Sequence, residues 1–251
     1  MSWDNFFVEN REILNSPDQI KSKINELINN EMIDYYDSPL HVSAREGYFV
    51  VMEIFMNYKH LIDIDSTNIR GNTPLFYAIL RNDLAMVKLL LDNGANKDGP
   101  YYSNEAPLHT ASKQGNLEIV RELINRKSDV NKLDDNHDTP LHIASKRGNL
   151  EIVKLLIDNE ADLNVKNLIG GTPFQDACYF GRLEVVKMLV QYGARTELSD
   201  YYKSEYDSIQ DEIKNYLSTA KQMIDNRKVY PYFWVIVHKH MNRHNEINFD
   251  K

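Results

Sequence analysis

Cysteine is all but absent. Cys178 is the one thiol in 251 residues, which excludes an internal disulfide and fits a reducing cytosolic or nuclear setting. Long apolar runs are missing too: the most notable, Phe233 to Val237, falls far short of the ~20 residues that cross a bilayer. Positive charge is in deficit, and a formal net charge of −8 argues against a broad grip on nucleic acid or anionic lipid. The first residues carry Asp4 and Glu9 rather than a basic start and an apolar core, so no secretory leader is expected. Chemistry-bearing motifs are equally scarce. Gly170-Gly171 has no following lysine to cradle phosphate, and Cys178 has no histidine partner to activate it. His240 and His244 share a helix face without the third donor that a metal needs. The expectation is a chain without catalytic, cofactor or metal residues, soluble and cytoplasmic.

What is present is a repeat. Pro74, Pro107, Pro140 and Pro173 stand 33 residues apart, and the text around them repeats without gaps. Thr73-Pro74-Leu75, Pro107-Leu108-His109, Thr139-Pro140-Leu141-His142 and Thr172-Pro173-Phe174 align, each followed by a small residue at Ala78, Ala111, Ala144 or Ala177. Gly115-Asn116-Leu117, Gly148-Asn149-Leu150 and Gly181-Arg182-Leu183 then open apolar runs. An earlier copy, Ser38-Pro39-Leu40-His41 with Gly47, precedes Pro74 by 35 residues and makes five units. Within one unit, Thr139 reads as a helix cap and Pro140 as a first helical residue, where a missing N–H costs nothing. Gly148 allows a sharp reversal. Asn149 reads as the cap of a second helix, whose Leu150, Val153 and Leu156-Ile157 form an apolar stripe. Neither short helix buries that stripe alone, so stacked copies are required.

The period and the TPLH text resemble the ankyrin-repeat family over residues 33–199. The resemblance implies an all-α solenoid of stacked helix pairs with β-hairpin tips along one edge. It also implies that His41, His109 and His142 are structural, bonding one tip to the next. Some slots depart from the pattern. Ala106 stands where a capping Thr is usual, and Phe76 and Gln175 where His is. Lys127 and Glu160 fall where Gly94 and Gly193 end the other second helices. A side chain in a left-handed cap costs on the order of 1 kcal/mol, so repeats 3 and 4 should be slightly strained there. Most Asp and Glu are expected at helix starts or in solvent.

Flanking the array, residues 1–32 read as a degenerate helical cap, with Ser16-Pro17-Asp18-Gln19 as a capping box over Ile20, Ile24, Leu27 and Ile28. Residues 200–225 resemble a shortened sixth repeat with Tyr206 in the proline slot. Residues 226–251 form an aromatic-basic extension. Pro231 is placed to start a helix there, plastering Phe233, Trp234, Val237 and Met241 on the last repeat or exposing Tyr232, Trp234, Lys239 and Arg243 for docking.

Function is then expected to be binding. The resemblance implies a concave face made of hairpin tips and first-helix ends. Carried over residue by residue, the helix ends are Arg45/Glu46, Leu80/Arg81, Lys113/Gln114, Lys146/Arg147 and Tyr179/Phe180. The tips are Tyr35, Ile69, Arg70, Tyr102, Leu168 and Ile169, beside Asp135 and Asp138. Arg81, Lys113, Lys146 and Arg147 form a basic strip and Tyr179, Phe180, Leu168 and Ile169 an apolar patch, the composition of binding hot spots. The expected partner is a protein with an acidic stretch and a hydrophobic anchor, bound by a monomer without a small-molecule substrate. Two other readings stand beside this one: an adaptor recruiting a second partner through 226–251, and nucleic-acid or membrane-surface contact by the same segment.

Overall fold

The computed structural model describes residues 12, 16, 19, 22, 37–57, 63–99, 104–197 and 211–219. The capping-box reading of the front segment, the placement of Tyr206, and the whole extension with Tyr232, Trp234, Lys239 and Arg243 lie outside these residues or are touched only at isolated positions. Ten short helices pair in chain order: α1 Pro39–Glu46 and α2 Phe49–Met56, α3 Pro74–Leu80 and α4 Leu84–Asp92, α5 Pro107–Gln114 and α6 Leu117–Asn125, α7 Pro140–Arg147 and α8 Leu150–Asp158, α9 Pro173–Tyr179 and α10 Leu183–Gln191. An eleventh, α11, spans residues 211–219. Each first helix packs on its own partner and on the first helices of adjacent repeats, and α4, α6, α8 and α10 stack likewise. This is the all-α solenoid of stacked helix pairs that the resemblance implies. No helix among the described residues is long and apolar enough to cross a membrane.

The reason for these elements is local. Every first helix opens on a proline, and Thr73, Thr139 and Thr172 accept the N–H three residues on, satisfying one of the donors a helix start leaves open. Three reversals per repeat need a left-handed residue, and they recur at the 33-residue period. Gly71, Asn104, His137 and Gly170 turn the tips, Asn82, Gly115, Gly148 and Gly181 follow the first helices, and Gly94, Lys127, Glu160 and Gly193 follow the second. Lys127 at φ 64° and Glu160 at φ 68° occupy the strained positions the sequence implies. Each tip is a tight hairpin closed by Asn68 N–H to Asn72 O, Asp134 N–H to Asp138 O, or Asn167 N–H to Gly171 O. No strand is present among the described residues.

The apolar stripes merge into one core running from Leu40 to Ile213. Leu90, Leu123, Leu156 and Leu189, one per repeat, are fully enclosed at 0% exposure, each contributing roughly 1.5–3 kcal/mol by leaving water. Two polar ladders cross the seams. In the first, Asp65, Asp98, Asn131 and Asn164 accept the backbone N–H of Asn96, Asp129, Asp162 and Arg195 in the next repeat, at 2.8–2.9 Å. In the second, His41, His109 and His142 take a backbone N–H on Nδ1, from Ser38, Ala106 and Thr139. Their Nε2–H therefore donates onward to Asn72 O, Asp138 O and Gly171 O. Gln175 reproduces both bonds, accepting from Thr172 N–H and donating to Glu197 O. Phe76 has no ring nitrogen for either and sets its edge against Tyr77 instead. At that seam the second helices carry ion pairs: Arg126 reaches Asp92 at 2.6 Å and Glu122 at 2.7 Å.

One local expectation is corrected. Asn149 sits at the start of α8 but makes no side-chain cap there; its amide donates instead to Ser112 O of the preceding repeat at 2.9 Å, in the last turn of α5, where helix carbonyls lack intrahelical donors. Some carboxylates are nevertheless enclosed, Asp176 among them in the first turn of α9. Asp134, Asp138 and Asp176 are buried, each held by hydrogen bonds or an ion pair that offsets the loss of water.

Candidate functional site

The tips and first-helix ends place the sequence-derived ladder on equivalent slots of successive repeats. Where the residue before the cap is acidic, the helix end eight positions on is basic and the two pair: Asp37 with Arg45, Glu105 with Lys113 at 3.8 Å, Asp138 with Lys146 at 2.5 Å. Where that slot holds Asn72 or Gly171, the helix end is Leu80 or Tyr179 instead. Repeats 1, 3 and 4 are therefore self-neutralised on this face, and repeats 2 and 5 are apolar.

The basic strip is accordingly less free than composition implies. Lys146 lies between Asp138 and the Asp176 carboxylate of the next repeat, the latter at 3.4 Å. Asn167 donates to the other Asp138 oxygen at 3.0 Å. Arg81 donates to Arg45 O at 3.0 Å, closing the C-terminal end of α1 from the neighbouring repeat. Arg182 does the same for α7 through Lys146 O. The exposed side chains of Arg70 and Arg147 form no ion pair with a carboxylate among the described residues.

Apolar exposure is concentrated in repeats 2 and 5. Ile69 is 68% exposed and Leu80 40%; Leu168 is 62%, Ile169 52%, Phe180 46% and Tyr179 37%. Tyr179 and Phe180 meet edge to face, their centroids 5.2 Å apart, which holds the pair as one bulky surface. Leu133, at 37%, was not singled out by sequence; its slot in the other repeats holds Thr67 or Lys166, so alignment of the copies masks it. Asp135 and Gln114 are exposed, and Glu46 pairs with Arg45. Tyr35 and Tyr102 fall outside the described residues.

One buried cluster has the residue types of a metal centre. Ligand atoms of Asp138, His142 and Asp176 all lie within 4.8 Å of one another. The donor set does not fit an ion, for two reasons. His142 spends Nδ1 on Thr139 N–H and Nε2–H on Gly171 O, and Lys146 Nζ already stands between the two carboxylates. Burial pushes the His142 pKa down to about 4, and those of His41 and His109 down as well, so all three are neutral structural groups near pH 7. Burial raises the Cys178 thiol to about 12, which keeps it protonated and inert.

A family model described as ankyrin repeats (3 copies) matches residues 15–101 and 103–200. Among curated proteins, the chain is 35% identical over 88 residues to an ankyrin repeat protein of Acanthamoeba polyphaga mimivirus, covering 34% of this chain and 9% of that protein. It is 37% identical over 70 residues to the human transient receptor potential cation channel subfamily A member 1, covering 28% of this chain and 6% of the channel. It is 40% identical over 72 residues to the mouse B-cell lymphoma 3 protein homolog, covering 28% of this chain and 16% of that protein. The chain thus matches only a small part of the length of each relative.

Proposed function

The chain belongs to the ankyrin-repeat family, and from that premise we propose that it is a protein-interaction module which binds through its tips and first-helix ends without catalysing a reaction. The observation that carries this reading is the exposure of Leu168, Ile169, Tyr179 and Phe180 together on one repeat. A fold that encloses its core elsewhere gains nothing by leaving four bulky apolar side chains in water, and such clusters mark association sites. The partner's hydrophobic anchor lies against this patch. Its acidic stretch faces Arg147 and Arg81 rather than Lys113 or Lys146, whose charges are taken up by Glu105 and by Asp138 and Asp176.

Affinity capture from the native cell extract tests this, comparing the intact chain with the Tyr179→Ala/Phe180→Ala/Arg147→Ala variant and with a truncation lacking residues 226–251. The triple variant should lose a specific protein while keeping its helical circular dichroism. Retention of every specific protein by the triple variant, with loss only on truncation, would refute the reading and move the site to the C-terminal extension.

A further inference from the structure

The two apolar repeats are copies of one another in position. Ile69 and Leu168 occupy the same tip slot, Leu80 and Tyr179 the same helix-end slot, and each pair is separated by three 33-residue periods. Their neighbours differ. Arg70 and Arg81 accompany the first pair, both exposed, whereas Ile169 and Phe180 accompany the second. Between them, repeats 3 and 4 present the internally neutralised pairs Glu105 with Lys113 and Asp138 with Lys146.

Resting on the reading of this face as a binding surface, we infer that it takes a single extended polypeptide segment with two anchors: an apolar residue beside an acidic one at Ile69/Leu80, and a bulky apolar pair at Leu168/Tyr179/Phe180. Stacked helices lie about 8–10 Å apart, so three steps span about 24–30 Å. An extended chain crosses that distance with about 7–9 residues at roughly 3.3 Å each. A helix needs about 16–20 residues at 1.5 Å, and each additional ordered residue costs further backbone entropy. The extended segment is therefore the cheaper bridge. The charge pattern assigns one end: carboxylates of the partner meet Arg70 and Arg81 beside the Ile69/Leu80 anchor. The stretch between crosses Glu105–Lys113 and Asp138–Lys146, which already satisfy one another, and meets an unmatched cation at exposed Arg147.

The test is selection of a phage-displayed library of random 20-residue peptides on the full chain, followed by affinity measurement with synthetic copies of the winners. Supporting peptides carry two apolar anchors about eight residues apart with Asp or Glu at one of them. They should lose at least tenfold in affinity on Ile69→Ser/Leu80→Ser and, separately, on Tyr179→Ser/Phe180→Ser. Lengthening the peptide's own spacer by four residues should cost at least tenfold against the unaltered chain, a measurement independent of how the variants fold. Peptides that depend on the repeat 5 pair alone, or that tolerate the longer spacer, overturn the two-anchor inference and leave the binding face standing. Peptides indifferent to both pairs overturn the face as well.

Discussion

Replacing His142 separates what the TPLH histidine does from what its bulk does, because repeat 5 already contains the control. His142 accepts from Thr139 N–H at 3.0 Å and donates to Gly171 O at 3.2 Å, in a site where its own exposure is 0%. A leucine of similar volume removes both partners at once. Each orphaned buried backbone group costs about 1–3 kcal/mol, so His142→Leu should destabilise by about 2–6 kcal/mol. His142→Gln should cost less than about 1 kcal/mol, because Gln175 makes the equivalent two bonds one period later. The pH dependence has a fixed sign. The folded pKa of about 4 lies below the ordinary 6.5, so this residue's stabilisation is complete above 6.5 and is lost as pH falls from 6.5 toward 4. Linkage puts the loss between pH 7.5 and pH 5 at about 2 kcal/mol. His41 and His109 shift in the same direction and contribute equally to every variant. Urea unfolding followed by circular dichroism at the two pH values therefore isolates His142 by difference: the Gln variant should lack its share of the acid sensitivity. Equal destabilisation by Gln and Leu, or a Leu variant within about 1 kcal/mol of the natural chain, would refute the hydrogen-bond account.

Three further outcomes follow from the geometry. Lys146→Met should cost about 2–4 kcal/mol in the same unfolding assay, since it leaves Asp138 and Asp176 buried without their cation, whereas Arg147→Ala should stay within about 0.5 kcal/mol; equal effects would show the pair to be inert. Lys127→Gly and Glu160→Gly should each raise stability by about 0.5–1 kcal/mol by relieving a left-handed side chain, measured as a higher urea midpoint, and a lower midpoint would contradict the strain. Cys178, fully enclosed and with its thiol raised to about 12, should react with a chromogenic disulfide at least a hundredfold faster in urea than in the native chain; similar rates would mean that repeat 5 opens readily.

Much of this protein is determined by sequence alone, because the instructions are short in range. A proline after Thr139, a reversal at Gly148 and an apolar stripe at Ile152, Val153 and Leu156 act within one or two helical turns, so the repeat, its register and its helix starts are legible at the 33-residue period. The left-handed positions of Lys127 and Glu160 are legible for the same reason: a slot that holds glycine elsewhere demands the same backbone everywhere. The exposed apolar residues of repeats 2 and 5 also follow from slot and type. Electrostatics and capping across the seams do not. The neutralisation of Lys146 by Asp176, the donation of Asn149 to Ser112 O rather than to its own helix, and the burial of Asp138 join residues 29 to 37 positions apart. Whether a charge is free or matched depends on the distance between stacked helices, and that distance is set by the packing of the whole core rather than by any local run of residues.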